Sequence, residues 1–215
     1  MSSVWLKKLF FLLVVRPLVI LVLGVNIRHT DRVPRRGPAI ILANHNSHLD
    51  TFVLMSLFRL KRLPELRPVA AGDYFLRNKF LAWFSQSIVG IIPIQRTKPT
   101  ANENPMTPLL AALDRGETLI LFPEGTRGEP EKLSAFKSGV AHLMRDRPNV
   151  PVTPVFLHGL GKALPRGEAL LVPYICDINV GDAVSWQGDK GATMELLQKV
   201  FAQLKAELPR PEMDD

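Results

Sequence analysis

Residues 9–25 (LFFLLVVRPLVILVLGV) are uncharged at every position but Arg16, too uniformly apolar for a surface helix with one wet face. A helix of that length spans about 25 Å, short of the roughly 30 Å of a bilayer's hydrocarbon core. Arg16 and Pro17 also interrupt it midway. A central arginine costs about 3 kcal/mol on insertion scales, and proline removes a backbone donor. Together these features predict a bent pair of short helices set into one leaflet, with Arg16 reaching headgroups and Trp5 at the interface. A cleaved signal peptide lacks its small-residue cleavage site at residues 23–26. Length alone leaves open a kinked span, or a helix packed on the protein's own core.

Residues 26–38 (NIRHTDRVPRRGP) are polar, basic and broken by Pro34, Gly37 and Pro38, the composition of a linker. Residues 39–43 (AIILA) then form an apolar run of strand length, and 51–60 (TFVLMSLFRL) have the density of a buried helix. The alternation continues with a strand at 68–71, a helix at 74–84 and a strand at 88–95, where Pro93 marks an edge or an end. A helix at 105–115 stops at Gly116, and 117–122 is a short strand. Ser134 can cap a helix through Met144, while 150–156, 169–172 and 175–180 read as extended. Residues 193–208 form an amphipathic helix with Leu196, Leu197, Val200, Phe201 and Leu204 on its apolar stripe. Strands alternating with helices predict an α/β fold: one sandwich-like domain with a central mixed sheet flanked by helices, plus the N-terminal membrane-associated helices. The expected division is 1–28 for the membrane-anchoring helices and 29–215 for the globular domain.

With 215 residues, 47% hydrophobic and 22% charged, the chain can bury a full core in one such domain. Its one cysteine, Cys176, excludes an intrachain disulfide, and five histidines with that cysteine show no zinc-type spacing, so no metal is expected. A formal charge of +7 favours anionic partners, such as nucleic acid, acidic lipid headgroups or an acidic carrier protein. No recognition helix, zinc finger or aromatic RNA-binding signature accompanies it, so nucleic acid is set aside. The apolar N-terminus turns the charge toward a lipid surface.

Chemistry concentrates where the apolar runs end. Asn44-His45-Asn46-Ser47-His48-Leu49-Asp50 follows the strand at 39–43 and sets His45 five positions before Asp50, in the first turn of the next helix. Histidine ionises near neutrality, and a neighbouring carboxylate orients the ring and stabilises its imidazolium, which is a general-base arrangement. Ser47 and Asp50 also fit a helix capping box, which leaves His45 unexplained. Phe122-Pro123-Glu124-Gly125-Thr126-Arg127 likewise follows a strand. There Gly125 permits close backbone approach, Arg127 can clamp an anion, and Glu124 can fix that clamp or a substrate hydroxyl. Arg96 closes Gly90-Ile91-Ile92-Pro93-Ile94-Gln95-Arg96, and Val150-Pro151-Val152-Thr153-Pro154-Val155 reads as a core strand. Nucleophile-elbow, Walker A and dinucleotide-binding signatures are missing, so a histidine base without a protein nucleophile points to direct attack by a substrate hydroxyl.

In that order, NHNSHLD, GIIPIQR, FPEGTR and VPVTPV strongly resemble the four motif blocks of the glycerolipid acyltransferase family, of the lysophosphatidic acid acyltransferase type. The resemblance implies a membrane-associated O-acyltransferase, monotopic on the cytoplasmic face of the cytoplasmic membrane, that converts 1-acylglycerol-3-phosphate to phosphatidic acid. His45 would be the base and Asp50 its orienting partner, while Arg96, Glu124, Gly125, Thr126 and Arg127 would bind the lysophospholipid acceptor. The donor would be a thioester on acyl carrier protein or coenzyme A, a co-substrate, with no bound cofactor. Many members carry a lysine in an A-K-x-E-L segment, where this chain reads Ala70-Ala71-Gly72-Asp73-Tyr74. Either Lys79, Arg77 or Lys137 supplies that cation, or the acceptor is a different lysolipid. Two further alternatives are a non-catalytic lipid-binding membrane module on the same fold and thioester hydrolysis by the same base. Phe52, Phe80, Leu81 and Trp83 can line an acyl tunnel, with burial in the core the expected role for each.

Overall fold

In the computed structural model, which describes residues 3–75, 78–95, 104–126, 128, 133–164, 172 and 174–208, the N-terminal run is helical. It continues from α1 (Ser3–Phe10) through two wider π-helical segments, Phe11–Val15 and Leu18–Val22. Arg16 (φ −63°, ψ −47°) and Pro17 (φ −58°, ψ −42°) stay helical between them, so the run is not divided into the two separate helices expected. Wider turns shift the hydrogen-bond ladder that Pro17 cannot complete, which lets a helix carry an internal proline. Phe11, Val15, Val19 and Leu23 are buried at every fourth position. The other side is apolar yet exposed, with Leu13 62%, Ile20 71% and Leu21 81% accessible. No described helix is long and apolar enough to cross a membrane.

The described strands are β1 (Leu23–Arg28), β2 (Ala39–Ala43), β3 (Leu66–Ala71), β4 (Ile92–Ile94), β5 (Thr118–Leu121), β6 (Val152–His158) and β7 (Tyr174–Val180). They form one sheet in the order β1-β7-β6-β2-β5-β3-β4, parallel throughout except between β6 and β7. β1 was not foreseen: residues 23–28 were read as the end of the hydrophobic segment and the start of a linker, and they add an edge strand to the sheet instead. A continuous apolar run has no period by which helix can be told from strand at its end.

Helices α2 (Asp50–Ser56), α3 (Gly72–Phe75), α4 (Lys79–Trp83), α5 (Thr107–Asp114), α6 (Gly139–Asp146), α7 (Leu160–Ala163) and α8 (Lys190–Ala206) complete the described elements of this kind. β2 lies at the centre and is buried along its whole length. Its alternating side chains feed two cores: Ile41 and Ala43 pack with the N-terminal helix and α2, and Ile40 and Leu42 with α5, α6 and α8. The mixed, helix-flanked sheet agrees with the sequence-based expectation.

Two of the boundaries that differ from the sequence-based reading have a visible cause in the backbone bonding. Residues Phe84–Val89, expected to begin a strand at 88, form a π-helical segment closed by Gly90 at φ 82°, whose N–H and that of Ile91 both donate to the Ser85 carbonyl. Ser134 does not cap a helix; α6 starts at Gly139, because the preceding backbone bonds elsewhere, the Ser134 N–H donating to Glu124 and the Lys137 N–H to the Pro123 carbonyl. The extended piece expected at 169–172 lies outside the described residues except for Val172. Lys7 of α1 is only 2% exposed and donates to the carbonyls of Val89 (2.9 Å) and Leu66 (3.3 Å).

Candidate active site

Leu42 of β2 stands opposite Leu121 of β5 in a parallel pair. The segments that follow, 44–50 and 122–126, therefore leave the sheet side by side at its carboxyl edge, where ligands of open α/β sheets bind. Asn44 prolongs the pairing with its side chain. Its Nδ2 donates to the Leu157 carbonyl at 2.8 Å and its Oδ1 accepts the Leu157 N–H at 2.7 Å. Asn46 Nδ2 donates to the same carbonyl at 3.1 Å. His45 is thus held between two tethered asparagines. Asn44→Ala leaves the Leu157 N–H buried without its acceptor, and the expected cost is about 2–3 kcal/mol, read as a lowered denaturant midpoint.

Asp50 is fully buried at the start of α2. One oxygen, Oδ2, accepts from His45 Nδ1 at 2.8 Å, from the Asn46 N–H at 2.6 Å and from the Ser47 N–H at 2.9 Å. An ionised carboxylate only accepts, so the ring proton resides on Nδ1 and Nε2 presents its lone pair. The expected capping box is not formed as such: α2 starts at Asp50 with Leu49 at its N-cap, and Ser47 Oγ accepts from the Leu49 N–H at 3.3 Å rather than from that of Asp50. The bond from the Ser47 N–H to Asp50 Oδ2 instead ties the loop before α2 to the same oxygen that holds His45. On its face, the imidazole stacks on Phe122 with centroids 4.1 Å apart and planes 20° from parallel. Neither Phe122 nor Asn44 stood out in the sequence as a support for His45, because both contacts join distant segments.

Glu124 is buried, and both its oxygens take backbone donors: Oε1 from His45 N at 3.0 Å and Oε2 from Ser134 N at 3.3 Å. Burial pushes its carboxyl above the usual glutamate range, and the two N–H donors partly offset this. Its place is that of a brace for the His45 backbone. Gly125 (φ 73°) and Thr126 follow in the turn. Arg96, Arg127 and Arg77 lie outside the described residues.

His45, Gly125 and Thr126 line a cavity of about 730 Å³. Its walls are largely apolar and include Phe52, Phe75, Leu81, Phe84 and Val89. His48 and Ala71 reach it as well. Phe52 and Leu81 thus line a chamber, whereas Phe80 and Trp83, expected in the core, are 70% and 50% exposed on α4. A pocket of this size, apolar with a few convergent polar groups, suits a small amphiphile.

The sequence pattern described as Acyltransferase matches residues 24–158. The chain is 29% identical over 145 residues to the 1-acyl-sn-glycerol-3-phosphate acyltransferase LPAT1, chloroplastic, of Arabidopsis thaliana, covering 67% of this chain and 38% of that protein. It is 28% identical over 185 residues to a 1-acyl-sn-glycerol-3-phosphate acyltransferase of Limnanthes douglasii, covering 80% of this chain and 60% of the other. It therefore spans less than two thirds of the length of these relatives. The crystal structure of the 1-acyl-sn-glycerophosphate acyltransferase PlsC from Thermotoga maritima superposes with a TM-score of 0.74 at 19% identity, over 97% of this chain and 81% of that one, and so shares the fold. The matched span takes in all of β1 but Leu23, β2, the His45–Asp50 pair, the turn at 122–126 and all of β6: the chain belongs to the Acyltransferase family, and its sequence likeness is to the lysophosphatidic acid type of glycerolipid acyltransferase.

Proposed function

We propose that the protein moves a fatty acyl group from a thioester to the free glycerol hydroxyl of a lysophospholipid, with 1-acylglycerol-3-phosphate as acceptor and phosphatidic acid as product. The observation that carries this is the 2.8 Å bond from the buried Asp50 Oδ2 to Nδ1 of His45, whose ring lines an apolar cavity. Nε2 takes the hydroxyl proton as the alkoxide oxygen attacks the thioester carbonyl. The C–O bond forms, the C–S bond breaks, and the departing thiolate recovers that proton from the imidazolium. Asp50 stabilises the imidazolium between these steps, and no acyl-enzyme is needed because the donor is already activated. Acyl carrier protein and coenzyme A thioesters both fit as donor. Arg96 and Arg127 hold the acceptor phosphate, with Gly125 and Thr126 at the turn.

The exposed apolar side of the N-terminal helix, together with the exposed Phe80 and Trp83 on α4, supports a monotopic seat in one leaflet. The net positive charge suits an anionic surface, and the cytoplasmic face of the cytoplasmic membrane is the site we assign. A panel of lysolipid acceptors crossed with both thioester donors tests the function. The expected product is diacyl lipid, highest with 1-acylglycerol-3-phosphate. Free fatty acid as the sole product makes the protein a thioesterase, and vesicle binding without any product makes it a lipid-binding module.

The cavity is the seat of the donor's acyl chain in this reading. Leu81→Trp, which narrows its wall, is expected to move the preferred donor to shorter chains by several methylenes; kcat/KM across a series of acyl thioesters checks this. An unchanged optimum places the chain elsewhere.

A further inference from the structure

A second cavity, of about 600 Å³, plays no part in the proposed reaction. Three segments build it, each leading into one of three neighbouring parallel strands: Gly37 lies two residues before β2, Glu65 immediately before β3 and Gly116 two residues before β5. The groove therefore opens at the amino end of these strands, with the length of β2 between it and His45. Gly37 brings two of the segments together backbone to backbone, since a Cβ there would stand 2.1 Å from the Gly116 carbonyl oxygen. Gly116 (φ 78°) has open space where its own Cβ would be, so the floor of the groove stays bare.

The lining is basic: Arg35, Arg36, Lys61, Arg62 and Arg115 surround Glu65. Arg62 is the fixed member. Only 8% exposed, it donates from Nε to Glu65 Oε2 (2.6 Å), from Nη1 to the Pro34 carbonyl (3.2 Å) and from Nη2 to Thr118 Oγ1 (3.1 Å). Glu117 is likewise taken, by Arg67 and Arg115. Arg35, Arg36 and Lys61 are exposed and make no hydrogen bond or ion pair among the described residues, which include all of 28–67 and 104–126. Three cations at one groove are thus left to an outside anion.

The N-terminal helix runs beside this groove. Lys7 of α1 donates to the carbonyl of Leu66, the residue after Glu65, and Phe58, Leu60 and Leu63 pack into the core that holds Phe11 and Val15. Val4, Trp5, Leu12 and Leu13 of the same helix are exposed. A leaflet that takes up those side chains brings its phosphate layer to the flank of the helix, where the groove opens. An acidic carrier protein fits this position poorly, because the length of β2 would separate its thioester from His45.

From this placement we infer that the groove seats the phosphate headgroup of an anionic phospholipid in the leaflet entered by the N-terminal helix, a lipid site separate from that of the acyl acceptor. The inference rests on the monotopic seat and not on acyl transfer. It is tested by binding of the full chain, at constant ionic strength, to vesicles of phosphatidylcholine alone and of phosphatidylcholine and phosphatidylglycerol in equal parts. The proteins compared are the wild type, a groove variant (Arg35→Gln, Arg36→Gln, Lys61→Gln) and a control of equal charge on α8 (Lys190→Gln, Lys199→Gln, Lys205→Gln), a helix that packs into the other core.

A cation at such a surface contributes about fivefold, so the groove variant is expected to lose about 100-fold on the mixed vesicles and nothing on phosphatidylcholine. The control should stay within about threefold of the wild type on both, its charges being screened from the surface. Equal losses in the two variants assign the effect to overall charge and overturn the inference. So does a groove variant that falls equally on both kinds of vesicle, since a headgroup seat acts on anionic lipid alone. Inorganic phosphate bound by the wild type and not by the groove variant, with equal vesicle binding by both, makes free phosphate the occupant and overturns the lipid assignment. A wild type that binds both kinds of vesicle alike overturns the headgroup site alone, whereas one that binds neither overturns the monotopic seat as well.

Discussion

Replacing His45 by alanine is expected to lower kcat for acyl transfer by about 10²- to 10⁴-fold, the usual contribution of a positioned general base. The acceptor KM should change little, because the ring contributes through proton transfer in the transition state. Its removal forfeits the stack on Phe122, worth about 1 kcal/mol, so the melting temperature should fall by only a few degrees. Asp50 separates two effects that His45 cannot. Asp50→Asn retains an oxygen able to accept from the Asn46 and Ser47 N–H groups, yet loses the charge that stabilises the imidazolium. Its amide nitrogen takes the position of Oδ1, which is buried without a hydrogen-bond partner among the described residues. Activity should therefore fall by orders of magnitude while the fold persists. Asp50→Ala leaves both backbone donors and Nδ1 without an acceptor in a fully buried position, at roughly 1–3 kcal/mol for each orphaned group. That variant should lose stability as well as activity. Transfer rates within threefold of wild type in both His45→Ala and Asp50→Asn would refute the base mechanism.

The pair at the centre of this prediction was legible because its determinants are local. AIILA at 39–43 is the kind of apolar run that fills the centre of a parallel sheet, and a carboxylate five residues past a strand-end histidine reaches it across one turn. Its supports were not legible. Asn44 meets Leu157, and His45 meets Phe122 and Glu124, only because β2 lies between β5 and β6, and no local pattern specifies that order. The N-terminal run shows the same division. Its apolar character was evident, but which side would be buried was not, since every side is apolar; the sheet selects Phe11, Val15 and Val19. Phe80 and Trp83 failed for the converse reason, as hydrophobicity alone cannot show that a helix turns its aromatics outward.

Lys7 leads to the second large effect, on stability. Burial, reinforced by the nearby Arg67 and partly opposed by Glu117, lowers its ammonium from 10.5 to about 7. An unfolded Lys7 keeps its proton until about pH 10.5, whereas the folded one releases it near 7. Between these values the unfolded chain binds more protons, so raising the pH stabilises the fold; below 7 both states are protonated and the cost of burying the charge is borne in full. Over the whole window the difference is on the order of 5 kcal/mol. Lys7→Met removes that titration, at the expense of leaving the Leu66 and Val89 carbonyls without their donor. At pH 6 the methionine variant should match or exceed the wild type, because it avoids a buried charge. By pH 10 the wild type should be the more stable, since a neutral amine still donates to both carbonyls. Unfolding midpoints of the two proteins in detergent from pH 6 to 10 measure this, with the stability difference expected to move toward the wild type by several kcal/mol. Parallel profiles would mean that Lys7 keeps its charge in the fold. Because Val89 also lines the cavity, the same titration links the docking of the N-terminal helix to the wall of the proposed acyl site.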